Sequence, residues 1–182
     1  VAEVTRDFQQ GPAVETTAPT DLMIEGEGML KVQTPDGERF TRNGSLSVTA
    51  DGILTTDQGF PVMGDKGDIV LQGSDFKVND NGEIWQQGQL VDRIQVFSFA
   101  DTKHLERRGV NLFFHGGPEE NVSQLATPHV RQGYVEGSNV NAIKSITDMI
   151  IAHRSVEAYN KAISNYDRMM EKSSNTVGEL RG

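Results

Sequence analysis

The chain has 182 residues, 36% of them hydrophobic, with 19 Gly, 6 Pro and no Cys. That length permits one sizeable core plus an appendage, and the missing Cys excludes disulfides, thiolate metal sites and a cysteine nucleophile. A net charge of −9 and a pI near 4.9 argue against phosphate-backbone binding, which needs Lys and Arg to displace counterions.

Residues 1–20 hold the polar stretch QQGPAVETTAPT with Pro12 and Pro19 and read as an extended lead-in or linker. They lack the apolar run of a cleaved signal peptide. From Asp21 onward Gly recurs roughly every seven to nine residues, from Gly28 to Gly88, a spacing of short strands and turns. Asp36-Gly37, Asn43-Gly44, Asp51-Gly52 and Asn81-Gly82 are hairpin dipeptides that favour positive φ at both central positions. Between them, SLSVTA places Leu46, Val48 and Ala50 on one face, DIVLQ places Ile69 and Leu71 together, and RIQVFSF places Ile94 with Val96 before Phe97 and Phe99. Asp101–Arg108 reads as a helical turn or an excursion, GVNLFFHGG as a short strand, Glu119–Thr127 as a polar connection and HVRQGYVEG as a last strand. Residues 21–137 are therefore expected to form a mainly β domain of hairpins in a short-stranded, twisted, partly closed sheet or sandwich.

Residues 138–182 change pattern. Ser138, Asn139 and Asn141 are candidate N-caps, and from Val140 to about Ser173 there is neither Gly nor Pro. Ile143, Ile146, Met149, Ile150, Val156, Tyr159, Ile163, Tyr166 and Met170 recur mostly at spacings of three and four, with Lys144, Arg154, Lys161 and Arg168 between them. This predicts one long C-terminal amphipathic α-helix of about nine turns. Its longest apolar run, Met149–Ala152, is far short of the ~18 residues that span a bilayer. The charge divides with the pattern: Asn141–Gly182 carries six Lys/Arg and five Asp/Glu, and the remaining 140 residues carry 11 and 21. Thirty-odd helical residues extend about 45–50 Å, whereas a β domain of this size is about 35 Å across, so part of the helix should overhang and need another polypeptide to cover it.

Catalytic chemistry is not expected. His104, His115, His129 and His153 fit no metal-ligand spacing, and HGGP at His115–Pro118 has no nucleophile elbow beside it. EGEG at Glu25–Gly28 lacks the third phosphate-loop glycine, and NDNGE at Asn79–Glu83 puts Lys77 and Gly88 where a calcium loop needs carboxylates. The expectation is therefore no catalytic, cofactor or metal residues. A rival class, a secreted β-rich carbohydrate-binding module or enzyme, would draw its stacking aromatics mainly from Trp85 and three Tyr.

Several collinear motifs then point to a family. They are Gly26-Glu-Gly28-Met-Leu-Lys-Val32, Thr34-Pro-Asp-Gly37, Phe40-Thr41-Arg42-Asn-Gly44, Asp51-Gly-Ile-Leu54 and Gly59-Phe-Pro-Val62. Later come Gln132-Gly133-Tyr-Val-Glu136 with Ser138-Asn139-Val140, and Arg154, Glu157, Lys161, Asp167 and Met169 in the helix. From Asp7 on, the sequence resembles the bacterial flagellar rod and hook proteins, most of all the proximal-rod type, with distal-rod and hook-type subunits as alternatives. Met29, His153 and Val156 depart from the residues usual there. The resemblance implies a structural axial subunit that self-assembles through terminal helices and transmits torque. It further implies partners that are copies of itself and other axial rod or hook proteins, with no nucleic acid, no membrane insertion and no small-molecule substrate. The implied location is the periplasmic rod of the basal body, reached by type III export without a cleaved signal peptide. The family's N-terminal helical segment is not in the sequence, and the resemblance implies that it would pair with the C-terminal helix.

Overall fold

The structure is a computed structural model that describes residues 8–140 and 142–179, with side chains to Met170. Val1–Asp7 of the lead-in and the cap candidate Asn141 lie outside the described residues. The described chain forms two compact units, one ending at Asn139 and the other beginning at Val140. The first is β: β1 (Ala13–Glu15), β2 (Leu22–Glu25), β3 (Met29–Thr34), β4 (Gly37–Thr41), β5 (Leu46–Val48), β6 (Leu54–Thr56), β7 (Met63–Gly64), β8 (Gly67–Asp68), β9 (Lys77–Val78), β10 (Glu83–Gln86), β11 (Gln89–Arg93), β12 (Val96–Phe99), β13 (Leu105–Arg107), β14 (Leu112–His115), β15 (Val122–Gln124), β16 (His129–Gln132) and β17 (Tyr134–Glu136). The second is the single helix α1 (Ala142–Glu179). The architecture is mainly β with one long C-terminal helix, as the patterning predicts.

The largest sheet runs β13-β14-β4-β3-β12-β15, and a three-stranded sheet runs β11-β10-β9. Side-chain alternation lets the large sheet use both faces. Leu30 and Val32 of β3 and Val96 of β12 enter the main core with Leu54, Val62, Ile69, Ile84 and Ile94. On the opposite face Met29, Phe40 and Leu105 gather Phe8, Phe97, Phe99, Phe113 and Val122. There Phe40 meets Phe97 and Phe99 edge-on at centroid distances of 5.6 and 4.9 Å, the geometry aromatic quadrupoles prefer. The expected pairs Ile69 with Leu71 and Ile94 with Val96 are buried.

The turns correct the dipeptide expectation. In Thr49–Gly52, Thr56–Gly59 and Asn79–Gly82 the Gly N–H donates to the first residue's carbonyl at 2.9 Å. The first residue's side-chain oxygen then accepts the next N–H, from Ile53 (3.1 Å), Phe60 (3.2 Å) and Glu83 (2.9 Å). Positive φ falls on the glycine alone, since the only non-Gly residues with positive φ among the described ones are Thr17 and Gln87. A longer loop with one left-handed residue spares Asp and Asn the left-handed backbone. Ala50 is thereby placed in an exposed turn, off the Leu46 face. The hairpin with two positive-φ central residues is Gln87-Gly88 (51° and 77°), between β10 and β11.

Asn43-Gly44 makes no hairpin, because β4 pairs with β3 and β14 whereas β5 pairs with β6. Gly44 instead lets Leu22 approach: its carbonyl accepts the Leu22 N–H at 2.9 Å, and a Cβ there would lie 1.5 Å from the Leu22 oxygen. Two expected loops also hold structure. Glu119–Thr127 contains β15, which pairs with β12, and the lead-in contains β1. Asp101–Arg108 is a 3-10 turn at Thr102–His104 followed by β13.

Steric and conformational glycines should separate by substitution. Gly44→Ala is expected to cost about 3 kcal/mol through overpacking. Gly59→Ala, with φ of 81° and open space around it, should cost only about 1 kcal/mol from the left-handed backbone. Urea unfolding of the two variants measures the difference.

Candidate assembly site

Several motif residues of the β unit, Gly26, Gly28, Arg42, Glu136 and Asn139, converge on the neck where the chain enters and leaves it. β1 runs antiparallel to β17, with Ala13 opposite Glu136, Val14 opposite Val135 and Glu15 opposite Tyr134. Beyond that ladder the Gly137 N–H reaches the Pro12 carbonyl at 2.8 Å, and the Asn139 side-chain amide reaches the Gln9 carbonyl at 2.9 Å. At the other end the Thr16 and Thr17 N–H groups share the Gly133 carbonyl, and the Gly133 N–H donates to Asp21.

Arg42, just past β4, locks this neck. Its Nε donates to Glu136 Oε2 at 2.5 Å, Nη1 to the Gly28 carbonyl at 2.9 Å and Nη2 to the Gly26 carbonyl at 2.6 Å. Glu136 Oε1 accepts the Gly11 N–H at 2.9 Å. Both charged side chains are 17% exposed, so solvent screens the pair less than it would a surface pair. Gln10 adds a second tie: its amide donates to the Ile24 carbonyl, and its oxygen accepts the Gly26 N–H, both at 3.0 Å. Gly11 has no room for a side chain, because a Cβ would sit 1.8 Å from the Gly137 oxygen.

Gln132 carries out the same stitching one strand away. Its oxygen accepts the Val78 N–H at 3.0 Å, and its amide donates to the Pro19 (2.6 Å) and Phe76 (3.1 Å) carbonyls. Thr41 caps the Asn43 N–H at 3.1 Å. The neck thus unites Gly26, Gly28, Arg42, Glu136 and Asn139. Thr41 and Gly44 serve the adjoining loop, Gln132 and Gly133 the adjoining strand break, and Ser138 lies in the exit segment. Val140 opens the second unit.

Two family models match: the one described as flagellar hook protein FlgE/F/G D1 domain over residues 23–86, and the one described as flagellar basal body rod FlgEFG protein C-terminal over residues 131–176. The flagellar basal-body rod protein FlgG of Buchnera aphidicola subsp. Acyrthosiphon pisum is 34% identical over 181 residues, covering 93% of this chain and 69% of that protein. The rod protein FlgF of Caulobacter vibrioides is 30% identical over 180 residues, covering 97% and 73%. The flagellar hook-basal body complex protein FlhO of Bacillus subtilis is 30% identical over 191 residues, covering 95% and 70%. The chain belongs to the flagellar basal-body rod protein family.

The second unit of this rod-family chain is α1, 38 residues long and so about 57 Å from end to end. Every described side chain from Ala142 to Met170 is exposed, including all nine apolar positions read from the sequence. Their exposure runs from 48% at Ile150 to 79% at Ile143, and Ile151 and Met169 join them. The nine do not share one line. At 100° per residue, Ile143, Ile146 and Ile150 fall on one side of the helix, Val156, Tyr159, Ile163, Tyr166 and Met170 on nearly the opposite side, and Met149 lies between. Thr147 and Ser155 return their hydroxyls to the carbonyls four residues back, both at 2.9 Å, leaving no hydroxyl demand on a partner from these two.

Sequence reading missed Gln10, Gly11 and Pro12. The Gly-Pro pair that suggested a linker is there because two backbones nearly touch.

Arg42→Ala is expected to lower stability by about 3 kcal/mol, since it strands the half-buried Glu136 carboxylate and frees two carbonyls. Arg42→Lys should recover less than half of that, because a point ammonium cannot serve three acceptors in the guanidinium's fixed geometry. Urea denaturation of the three proteins gives the comparison.

Proposed function

We propose that the chain is a structural subunit of the flagellar rod whose α1 carries the assembly contacts. The observation that carries this is the run of exposed apolar side chains along α1. An isolated helix is marginal in water and draws most of its stability from packing an apolar face. Nine such side chains would contribute roughly 1.5–3 kcal/mol each if fully buried, against the translational and side-chain entropy lost on association. Left in water, they contribute nothing.

The partners on this reading are copies of the chain and other axial proteins of the basal body, packed through heterologous contacts. The subunit reaches the periplasmic rod through the flagellar export channel. The division of labour follows the sequence: residues 1–20 lead in, 21–137 form an outer β domain, and 138–182 form the assembly segment. The neck supports a load-bearing role. Because β1 and β17 are antiparallel neighbours, the chain's entry and exit are clamped together, and force arriving through either strand is shared across the Arg42 network. The relatives bear two rod-protein names at 34% and 30% identity, so the reading rests on the family as a whole.

Replacing Ile146 and Ile150 together with Asp should abolish incorporation into rods and motility, while the β unit keeps its unfolding transition. Motility plates, isolated basal bodies and far-UV melting make the check. Normal rod incorporation of the double variant would refute α1 as the contact.

A further inference from the structure

The outer face of the β9–β10–β11 sheet takes no part in the neck or in α1. Register puts Trp85 of β10 directly between Lys77 of β9 and Leu90 of β11, and puts Glu83, two residues earlier, directly opposite Arg93. Residues paired in this way share a face. Ile84 and Gln86, which alternate with them, point inward and are buried. The chain's single Trp therefore stands on the water side, 39% exposed, beside Leu90 at 48%. The polar groups around it are already ordered. The Asn79 amide donates to Glu83 Oε2 at 2.8 Å, and Arg93 Nη2 donates to Glu83 Oε1 at 3.2 Å. These bonds, with a smaller contribution from the Trp85 indole N–H, hold the Glu83 carboxyl below the usual carboxylate range. Glu83 is thus satisfied within the sheet. Arg93 keeps further guanidinium donors, and Lys77 has no ion-pair partner among the described residues.

We propose that this face binds an acidic polysaccharide, one pyranose ring stacking on Trp85 while carboxylates of the chain meet Lys77 and Arg93. The inference goes beyond the assembly reading and does not rest on it, since no residue of α1 takes part. Magnitudes decide between a saccharide and a protein partner. One aromatic side chain buries roughly 150–250 Å². Of the six side chains that register places on this face, Leu90 is the only other apolar one. The apolar area falls well short of the ~800 Å² per partner in a standard protein interface. A pyranose needs no more than one indole. Its axial C–H groups carry partial positive charge and suit the negative face of the aromatic quadrupole, and its oxygens need donors at the rim. Neighbouring strands lie about 4.8 Å apart, so a ring centred on Trp85 has Lys77 at its edge. Charge decides between neutral and acidic sugars. Both groups with donors to offer are cations, and a charge-assisted hydrogen bond is about twice as strong as a neutral one. The net acidity of the β unit opposes a polyanion only weakly here, because exposed charges more than about 8 Å away are largely screened at physiological salt.

The single Trp makes the test direct, because the chain's indole fluorescence reports on this face alone. The full chain is titrated with oligogalacturonate, which carries a carboxylate on every ring, with a neutral cello-oligosaccharide of equal length and with polyglutamate. The proposal expects a saturable shift of the Trp emission with oligogalacturonate. The neutral oligomer should bind about tenfold more weakly or worse, the loss of one charge-assisted contact. Lys77→Gln should weaken oligogalacturonate binding by about tenfold on the same grounds. Trp85→Ala should abolish retardation in gels that contain polygalacturonate, and Trp85→Phe should restore part of it. Both positions are exposed, so the variants should keep the parent's urea transition. If Trp85→Ala does not fold, Lys77→Gln and Trp85→Phe carry the test. No emission shift with oligogalacturonate would overturn the proposal, as would retardation that survives Trp85→Ala. Equal binding of the neutral oligomer would overturn the acidic specificity. Tighter binding of polyglutamate would replace the saccharide with an acidic polypeptide. None of these outcomes bears on the assembly reading, which the Ile146/Ile150 aspartate variant tests.

Discussion

The guanidinium of Arg42 is the constraint on which the neck depends. The β1–β17 ladder is only three residues long, and a two-stranded pairing that short is marginal in water by itself. Arg42 ties it to the rest of the β unit through three donors, each aimed at a different acceptor: the Glu136 carboxylate and the Gly26 and Gly28 carbonyls. Glu136 in turn holds Gly11. One planar cation thus couples the entering strand, the leaving strand and the bend between β2 and β3. The two glycines it reaches have positive φ, 84° at Gly26 and 137° at Gly28, which turns their carbonyls toward one point. A Cβ on Gly28 would also meet a Val96 methyl at 2.6 Å. The conformation that serves the Arg also serves the core beneath it.

The same logic runs through the β unit. Its strands are two to six residues long, too short to define their register by backbone pairing alone. The main core is continuous across the small sheets, and side chains finish the turns where the backbone cannot. Thr49, Thr56 and Asn79 each accept an N–H four residues on. Glu83 follows one such turn, and its carboxyl is held below the usual carboxylate range by hydrogen bonds from Asn79 and Arg93. The turn and the β10–β11 pair are joined there by a single side chain.

Much of this was legible in the sequence, and the failures have physical causes. Alternation gave Ile69 with Leu71 and Ile94 with Val96, because a half-buried strand must alternate. The long helix was legible because nothing between Val140 and Ser173 breaks it. Asp51-Gly52 and Asn81-Gly82 marked turns correctly but misassigned their type, since the dipeptide does not reveal how many residues the loop spans, and Asn43-Gly44 marked a hairpin where none forms. β1 and β15 were invisible because their strand character lies in backbone partners more than a hundred and about two dozen residues away. Gln10 and Gly11 were hidden for the same reason. The helix stripe was legible as spacing but not as phase: the six-residue step from Ile150 to Val156 turns the helix by about 240°, and a count of threes and fours does not register it.

That phase step bears on why an exposed apolar helix accompanies an acidic, glycine-rich β unit. The 140 residues before Asn141 carry 11 Lys/Arg against 21 Asp/Glu, whereas the tail, with six against five, is close to neutral. Repulsion between β units discourages indiscriminate aggregation, while the neutral tail lets helices approach without that penalty. Splitting the apolar surface into two short faces lowers it further, since neither face alone forms a long self-complementary seam. If α1 carries the assembly contacts, helix stability depends on neighbours, and by mass action α1 is most stable where its partners are already in place. On the assembly reading, ordering of the helix and growth of the rod are one process, and the clamp at Arg42 keeps the β unit out of that equilibrium, folded before and after.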